Sequence, residues 1–169
     1  MQNLQAGEEE TGPVWMISTD NHNNLSHYGV LLRCIDNLII DTDPAKLDIA
    51  YMTAFLSQTY WAQGRSQAQM QQCVDHSLNF GVYLHGNQIG YARVVSDTVQ
   101  FAYLMDVFID PQHRGKGYSL QLVDYILQFP ELRDVRVWRL ASNDARGLYQ
   151  RFGFTRLAHP EKMMERIRS

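Results

Sequence analysis

From Asn37 onward the apolar residues fall into short runs spaced at either two or about 3.6 positions, and each change of period predicts a change of element. Leu38–Ile39–Ile40 reads as a strand. Asp43 offers an N-cap with Pro44 behind it, which predicts a helix from that point with Ile49, Met52 and Leu56 along one face and Phe55 beside them. A second helix is predicted after the capping-box pattern Ser66-x-x-Gln69, with Met70, Cys73 and Val74 as its apolar stripe. The aromatic segment Tyr60–Trp61–Ala62–Gln63–Gly64 joins the two.

Phe80 to Leu84 and Ile89 to Val95 are strand-like runs separated by His85–Gly86–Asn87–Gln88, a hairpin signal. A third run, Phe101 to Ile109, is aromatic and β-branched and stops at Asp110–Pro111. After a glycine-bearing turn, Leu122, Val123, Ile126, Leu127 and Phe129 mark one face of a helix that Pro130 closes. Val135 to Leu140 is a further strand. Asn143 is placed to cap a short helix carrying Leu148, Tyr149 and Phe152, with Gly153 just past its end. Phe154 to Leu157 and Met163 to Ile167 are expected to form the last strands.

The alternation of strands and helices makes residues 37–169 one α/β domain. Residues 1–36 are read as an N-terminal arm, partly mobile, or an extra hairpin built from Val14–Ser18 and Tyr28–Cys34. Composition narrows the function classes. Of the 169 residues, 45% are hydrophobic and 20% charged, the balance of an ordinary globular chain. A net charge of −3 supplies no basic excess for nucleic acid or an anionic membrane, and no apolar run is long enough to span a bilayer. Met1–Glu10 lacks a basic n-region and an apolar h-region, so no secretory signal is expected and the location is read as cytoplasmic. Cys34 and Cys73 sit singly and read as reduced thiols, and the histidines show no metal-ligand spacing, so no metal is expected.

The candidate chemistry lies between the third long strand and the helix after it, in Asp110–Pro111–Gln112–His113–Arg114–Gly115–Lys116–Gly117–Tyr118–Ser119. Glycines there let the backbone approach a ligand, and free N–H groups at the helix start face an anion, with Arg114 and Lys116 adding charge. A phosphate or pyrophosphate is the expected guest. The segment is not a Walker A loop, since Gly117 follows Lys116 where Ser or Thr is required. Nor is it a dinucleotide fingerprint, which needs Gly or Ala where Leu120 stands. It does fit Gln-x-x-Gly-x-Gly. Asp106 is the other singular residue, a lone charge in an apolar strand that must be paired or face a wet cleft. His113 is read either as touching phosphate or as a solvated histidine.

Some thirty residues beyond the glycine turn stands Asn143–Asp144–Ala145–Arg146–Gly147–Leu148–Tyr149–Gln150–Arg151–Phe152–Gly153–Phe154. Together with Gln112 to Gly117 this resembles the GNAT family of N-acetyltransferases, over roughly Asn37 to Ile167. Tyr118 and Ser119 depart from the family's usual aliphatic and small residue. The resemblance implies a mixed, mostly antiparallel sheet splayed between its fourth and fifth strands, and an acetyl-CoA-dependent enzyme moving an acetyl group to a primary amine by direct transfer in a ternary complex.

Residue by residue, the resemblance implies that Val107, Phe108 and Ile109 offer backbone groups to the pantetheine arm, with an N–H near Val107 polarising the thioester carbonyl. The pyrophosphate would lie on N–H groups from His113 to Tyr118, and Asn143 would reach the pantetheine from the far wall. Tyr149 matches the tyrosine that protonates the leaving thiolate. Asp106 is the candidate base for the amine, or a structural carboxylate bonded to backbone N–H groups. Met105 stands where polyamine-type relatives carry Glu, which argues against a polyamine acceptor. Tyr60, Trp61 and Tyr83 are candidates for the acceptor pocket. The expected partners are acetyl-CoA, a small-molecule amine and at most a second copy of the chain, with neither nucleic acid nor membrane. A non-catalytic acyl-CoA sensor and a protein N-acetyltransferase are the alternatives.

Overall fold

The computed structural model describes residues 38–167. The arm expected over residues 1–36, with Cys34, lies outside the described residues. Strand β1 spans Leu38–Asp41, and helices α1 (Ile49–Leu56) and α2 (Gln67–Asp75) follow it. The antiparallel strands β2 (Leu78–Leu84), β3 (Asn87–Ser96) and β4 (Phe101–Ile109) come next. Helix α3 (Tyr118–Leu127), strand β5 (Val137–Arg139) and helix α4 (Arg146–Gln150) complete the order. The five strands form one sheet in sequence order, antiparallel except for the parallel pair β4–β5. This is the mixed, mostly antiparallel sheet that the family resemblance implied.

Helices cover both faces. Leu122, Val123 and Ile126 of α3 bury against Phe80, Val82, Ala92, Val94, Ala102 and Leu104. On the opposite face Met52 and Leu56 of α1 and Met70 and Val74 of α2 bury with Tyr91 and Phe108. These side chains lie almost wholly out of water. Truncating a leucine such as Leu122 to alanine in such a core costs about 2–5 kcal/mol.

Local chemistry sets most boundaries. The β2–β3 hairpin turns through His85 and Gly86, both at positive φ, which matches the twist of the flanking strands. The capping box at Ser66 is present, with Gln69 N–H donating to Ser66 Oγ and Ser66 N–H donating to Gln69 Oε1. Asp43 behaves differently from expectation. It caps only a 3₁₀ turn, Pro44–Lys46, and α1 begins at Ile49, where Asp48 Oδ1 accepts from Tyr51 N–H. The chain uses two caps because Leu47 between them is drawn into the core.

The final strands expected over Phe154–Leu157 and Met163–Ile167 are not formed. These segments carry no ladder, and Pro160 starts a 3₁₀ turn between them. Proline has no N–H to donate to a sheet, and Met163, Met164 and Ile167 stay exposed.

One irregularity positions the site. Tyr91 pairs with Phe108 and Arg93 with Met105, so β4 carries one residue more than β3 between those pairs. The extra residue is a β-bulge, and it leaves Asp106 at φ +53, a left-handed backbone that Asp tolerates better than most side chains. Ala102 and Leu104 face α3, whereas Phe108, of the same parity, faces α1. The bulge has switched the face.

Candidate active site

Strand β5 pairs with β4 only through Phe101, Ala102 and Tyr103, and β4 then runs on to Ile109 with β3 as its one strand partner among the described residues. Backbone groups of Leu104 to Ile109 that face β5 therefore have no ladder partner there. The divergence opens a cavity of about 180 Å³. Tyr103, Asp106 and Val107 form its β4 wall, Tyr60, Trp61 and Arg65 of the α1–α2 loop close one side, and Ser142, Ala145 and Tyr149 close the other. Tyr60 spans the opening, because the Asn143 N–H donates to its hydroxyl at 3.1 Å. Trp61 packs edge-on against the Tyr60 ring at 4.8 Å.

Tyr149 is 7% exposed, packs edge-on against Phe154 and lines the cavity from α4. Burial first, then Asp144 and Tyr60, push its phenol up to about 12, so it holds its proton throughout the neutral range. Helix α4 starts later than the sequence suggested. Its N-cap is Ala145, whose N–H donates to Ser142 Oγ, while the Asn143 side chain is exposed and caps nothing. Ser142, not Asn143, lines the cavity.

At the far end of β4 the chain enters the glycine turn. Asp110 accepts from the N–H groups of Gln112 and His113, and Pro111 accepts from that of Arg114, so these three donors are consumed by the turn. The N–H groups of Gly115, Lys116, Gly117, Tyr118 and Ser119 donate to nothing among the described residues. The free donors thus begin two residues later than His113. Gly115 and Gly117 both have φ near +80, and a Cβ on either would meet open space. Arg114 folds back, its Nε–H donating to the Ile109 carbonyl at 2.9 Å. His113 Nδ1 lies 3.9 Å from Asp110 Oδ1, turned toward its own turn. The Tyr118 side chain is in the core and the exposed Lys116 carries the free charge. Five free N–H groups, a lysine and open space above two glycines fit a pyrophosphate.

Asp106 is sealed, its side chain 1% exposed. Arg65 Nη1 donates to its Oδ2 at 2.6 Å and Nη2 to its Oδ1 at 3.3 Å, while Arg93 Nε donates to Oδ2 at 2.6 Å. Burial works against the charge on Arg65, and the bond to Asp106 with its negative charge more than offsets that, so the guanidinium pKa is raised. For Asp106 to accept a proton it would surrender charge-assisted bonds that are strong at these distances. The partners of Asp106 are guanidinium groups, not the backbone N–H groups of the structural alternative.

Arg65 and Arg93 escaped the sequence reading. Arg93 had a usable signal, being a lone charge in the apolar run Tyr91–Val95 on the strand next to that of Asp106. Tyr83 does not reach the cavity. Its hydroxyl donates to the Lys46 carbonyl and its ring lies over Gly81 on β2. Phe108 is stacked on Phe55 at 4.0 Å, away from the splay, so only its backbone could serve a ligand there. Among the described residues no group of three or more His, Cys, Asp and Glu side chains could hold a metal, and no helix is long and apolar enough to cross a membrane.

Comparison with known proteins agrees with this geometry. Residues 75–156 match the family model described as an acetyltransferase (GNAT) domain. A solved structure from Xanthomonas campestris, a candidate acetyltransferase of the GNAT family, is 46% identical with a TM-score of 0.75, covering 77% of this chain and 92% of that one. A candidate acetyltransferase from Gibberella zeae is 31% identical over 121 residues, 57% of this chain and 68% of the other. A Clostridium acetobutylicum protein solved with acetyl-CoA shares the fold at 14% identity and a TM-score of 0.57, over 78% of this chain and 95% of its own. With the splayed β4–β5 pair and the glycine turn in place, the chain belongs to the GNAT acetyltransferase family.

Proposed function

We propose that the protein transfers an acetyl group from acetyl-CoA to the primary amine of a small molecule, directly and within a ternary complex. The observation that carries this reading is the continuity of one strand. Strand β4 leaves β5 at Tyr103, opens the cavity that holds Tyr149, and ends at the turn whose N–H groups are free.

Acetyl-CoA supplies an acetyl thioester whose carbonyl carbon an amine can attack. In this reading the N–H groups of Gly115 to Ser119 hold the pyrophosphate, aided by Lys116 and the start of α3. Unpaired backbone between Leu104 and Ile109 takes the extended arm as a sheet edge takes a strand. The N–H near Val107 polarises the carbonyl. Tyr149 gives its proton to the sulfur as the C–S bond breaks and the N–C bond forms, then recovers a proton from water. The proton lost by the amine leaves to solvent, and Asp106 acts as a positioning residue that fixes Arg65 and the bulge of β4.

The test is release of free thiol from acetyl-CoA by the purified protein across a panel of amines. Amine-dependent release with a matching acetylated product supports the reading. Binding of acetyl-CoA without release on any amine would make the domain a sensor instead.

A further inference from the structure

Beside the splay cavity, and sharing Trp61 and Arg65 with it, lies an open groove of about 700 Å³ between α2 and β3. Its charge is unbalanced. Arg65 and Arg93 both line it, and no acidic side chain does. Their common partner Asp106 carries one negative charge against two positive ones and stands on the cavity side. One positive charge is therefore left over, on guanidinium groups whose side chains are only 15% and 8% exposed.

Donors are left over as well. Arg65 spends both Nη1 hydrogens on Asp106 and the Met70 sulfur and one Nη2 hydrogen on Asp106, which leaves its Nε–H and the other Nη2 hydrogen. Arg93 spends Nε on Asp106 and one Nη1 hydrogen on Ser77 Oγ, which leaves the other Nη1 hydrogen and both on Nη2. Among the described residues the sealed side-chain atoms without a partner are Tyr51 Oη, His113 Nδ1 and Gln121 Oε1, so the spare guanidinium nitrogens are not walled off. A largely buried guanidinium pair with a spare charge and spare donors, on the wall of a groove without acidic side chains, suits a carboxylate.

We propose that the acetyl acceptor is an amine that also carries a carboxylate, as a free amino acid does, with the carboxylate held in the groove by Arg65 and Arg93. The inference rests on the acetyl-transfer reading above and narrows its substrate class. The amine enters the cavity past Trp61 and Arg65, the two side chains common to both spaces, so the two functional groups of the acceptor straddle Arg65.

The test compares acceptors that differ only in charge. Thiol release from acetyl-CoA is measured with common amino acids, with their carboxamides, and with simple amines that keep the side chain but lack the carboxylate. The acids should exceed the carboxamides in kcat/KM by about ten- to a hundredfold, the worth of hydrogen bonds to a charged group. Removing Arg65 or Arg93 would also disturb Asp106, so the protein-side variant is Gln72→Glu, an exposed position of α2 on the groove wall. It should raise KM for the acids roughly three- to tenfold by like-charge repulsion and leave the carboxamides unchanged. Equal turnover of acids and carboxamides, with Gln72→Glu silent on both, would overturn the carboxylate site while leaving acetyl transfer intact. Release from none of the three acceptor sets would overturn the transfer reading and this proposal with it.

Discussion

Arg93 Nε lies 2.6 Å from Asp106 Oδ2, two lone charges on neighbouring strands brought together by the extra residue in β4. Each alone would be expensive to bury. Together with Arg65 they form a cluster at the wall of the splay cavity. The bulge therefore supplies both a local twist of β4 and the site for the ion pairs that hold it.

Asp106→Asn separates the two roles open to this residue. Breaking a buried ion pair on one side typically costs about 3–5 kcal/mol, because the remaining charges lose their partner. The melting temperature should fall and activity should drop to a similar extent at every pH. A normal melting temperature with activity recovering at high pH, where the amine is already neutral, would instead identify Asp106 as the base.

Gly117→Val addresses the glycine turn. The backbone at Gly117 has φ +81, where a side chain costs about 1–2 kcal/mol, and a Cβ there would meet no protein atom. The fold should survive, and the branched side chain should occupy the space proposed for the pyrophosphate. Calorimetry should show at least about a tenfold loss of acetyl-CoA affinity, the size expected for one lost charge-assisted hydrogen bond. Unchanged affinity in a folded Gly117→Val protein would contradict the assignment.

The local features of this fold were readable in advance because they depend on neighbours in sequence. The capping box at Ser66, the hairpin at His85–Gly86 and the strand–glycine–helix order around Gly115 are of this kind. What was not readable depends on long-range counting. Nothing near Asp106 reveals that β4 carries one residue more than β3 between the pairs Tyr91–Phe108 and Arg93–Met105, so neither the face switch at Phe108 nor the pairing with Arg65, 41 residues away, could be derived. Tyr83 looked like a pocket residue only by position, and its ring is taken by Gly81 and Lys46. The C-terminal runs have strand composition, yet Pro160 and the lack of a paired neighbour leave them irregular. Near α4 the Ser142 hydroxyl takes the N–H bond expected of Asn143, and Asp43 caps the 3₁₀ turn while Asp48 caps α1.

Three buried or half-buried phenols are expected to make stability fall at alkaline pH. Burial is the leading cause that pushes Tyr51, Tyr125 and Tyr149 up to about 12, against an ordinary value near 10. Below pH 10 they are neutral in both folded and unfolded chains, and stability should be flat in this respect. Between about 10 and 12 the unfolded phenols ionise first, the unfolded state binds fewer protons, and stability falls as pH rises. Urea midpoints measured from pH 8 to 11.5 should decline only above about 10, in step with tyrosinate absorbance on unfolding. A decline already complete by pH 9 would show that these rings are not protected.

The central claim is acetyl transfer with Tyr149 as the proton donor to sulfur, and single-turnover transfer by Tyr149→Phe tests it most directly. The substitution keeps the ring and its packing on Phe154 and removes only the hydroxyl that lines the cavity. Melting temperature and acetyl-CoA affinity should change little. The chemical step, measured with whichever amine proves active, should slow by about 10²–10⁴-fold, the usual worth of a positioned general acid. A folded Tyr149→Phe protein that binds acetyl-CoA and transfers the acetyl group at the unchanged rate would contradict the account.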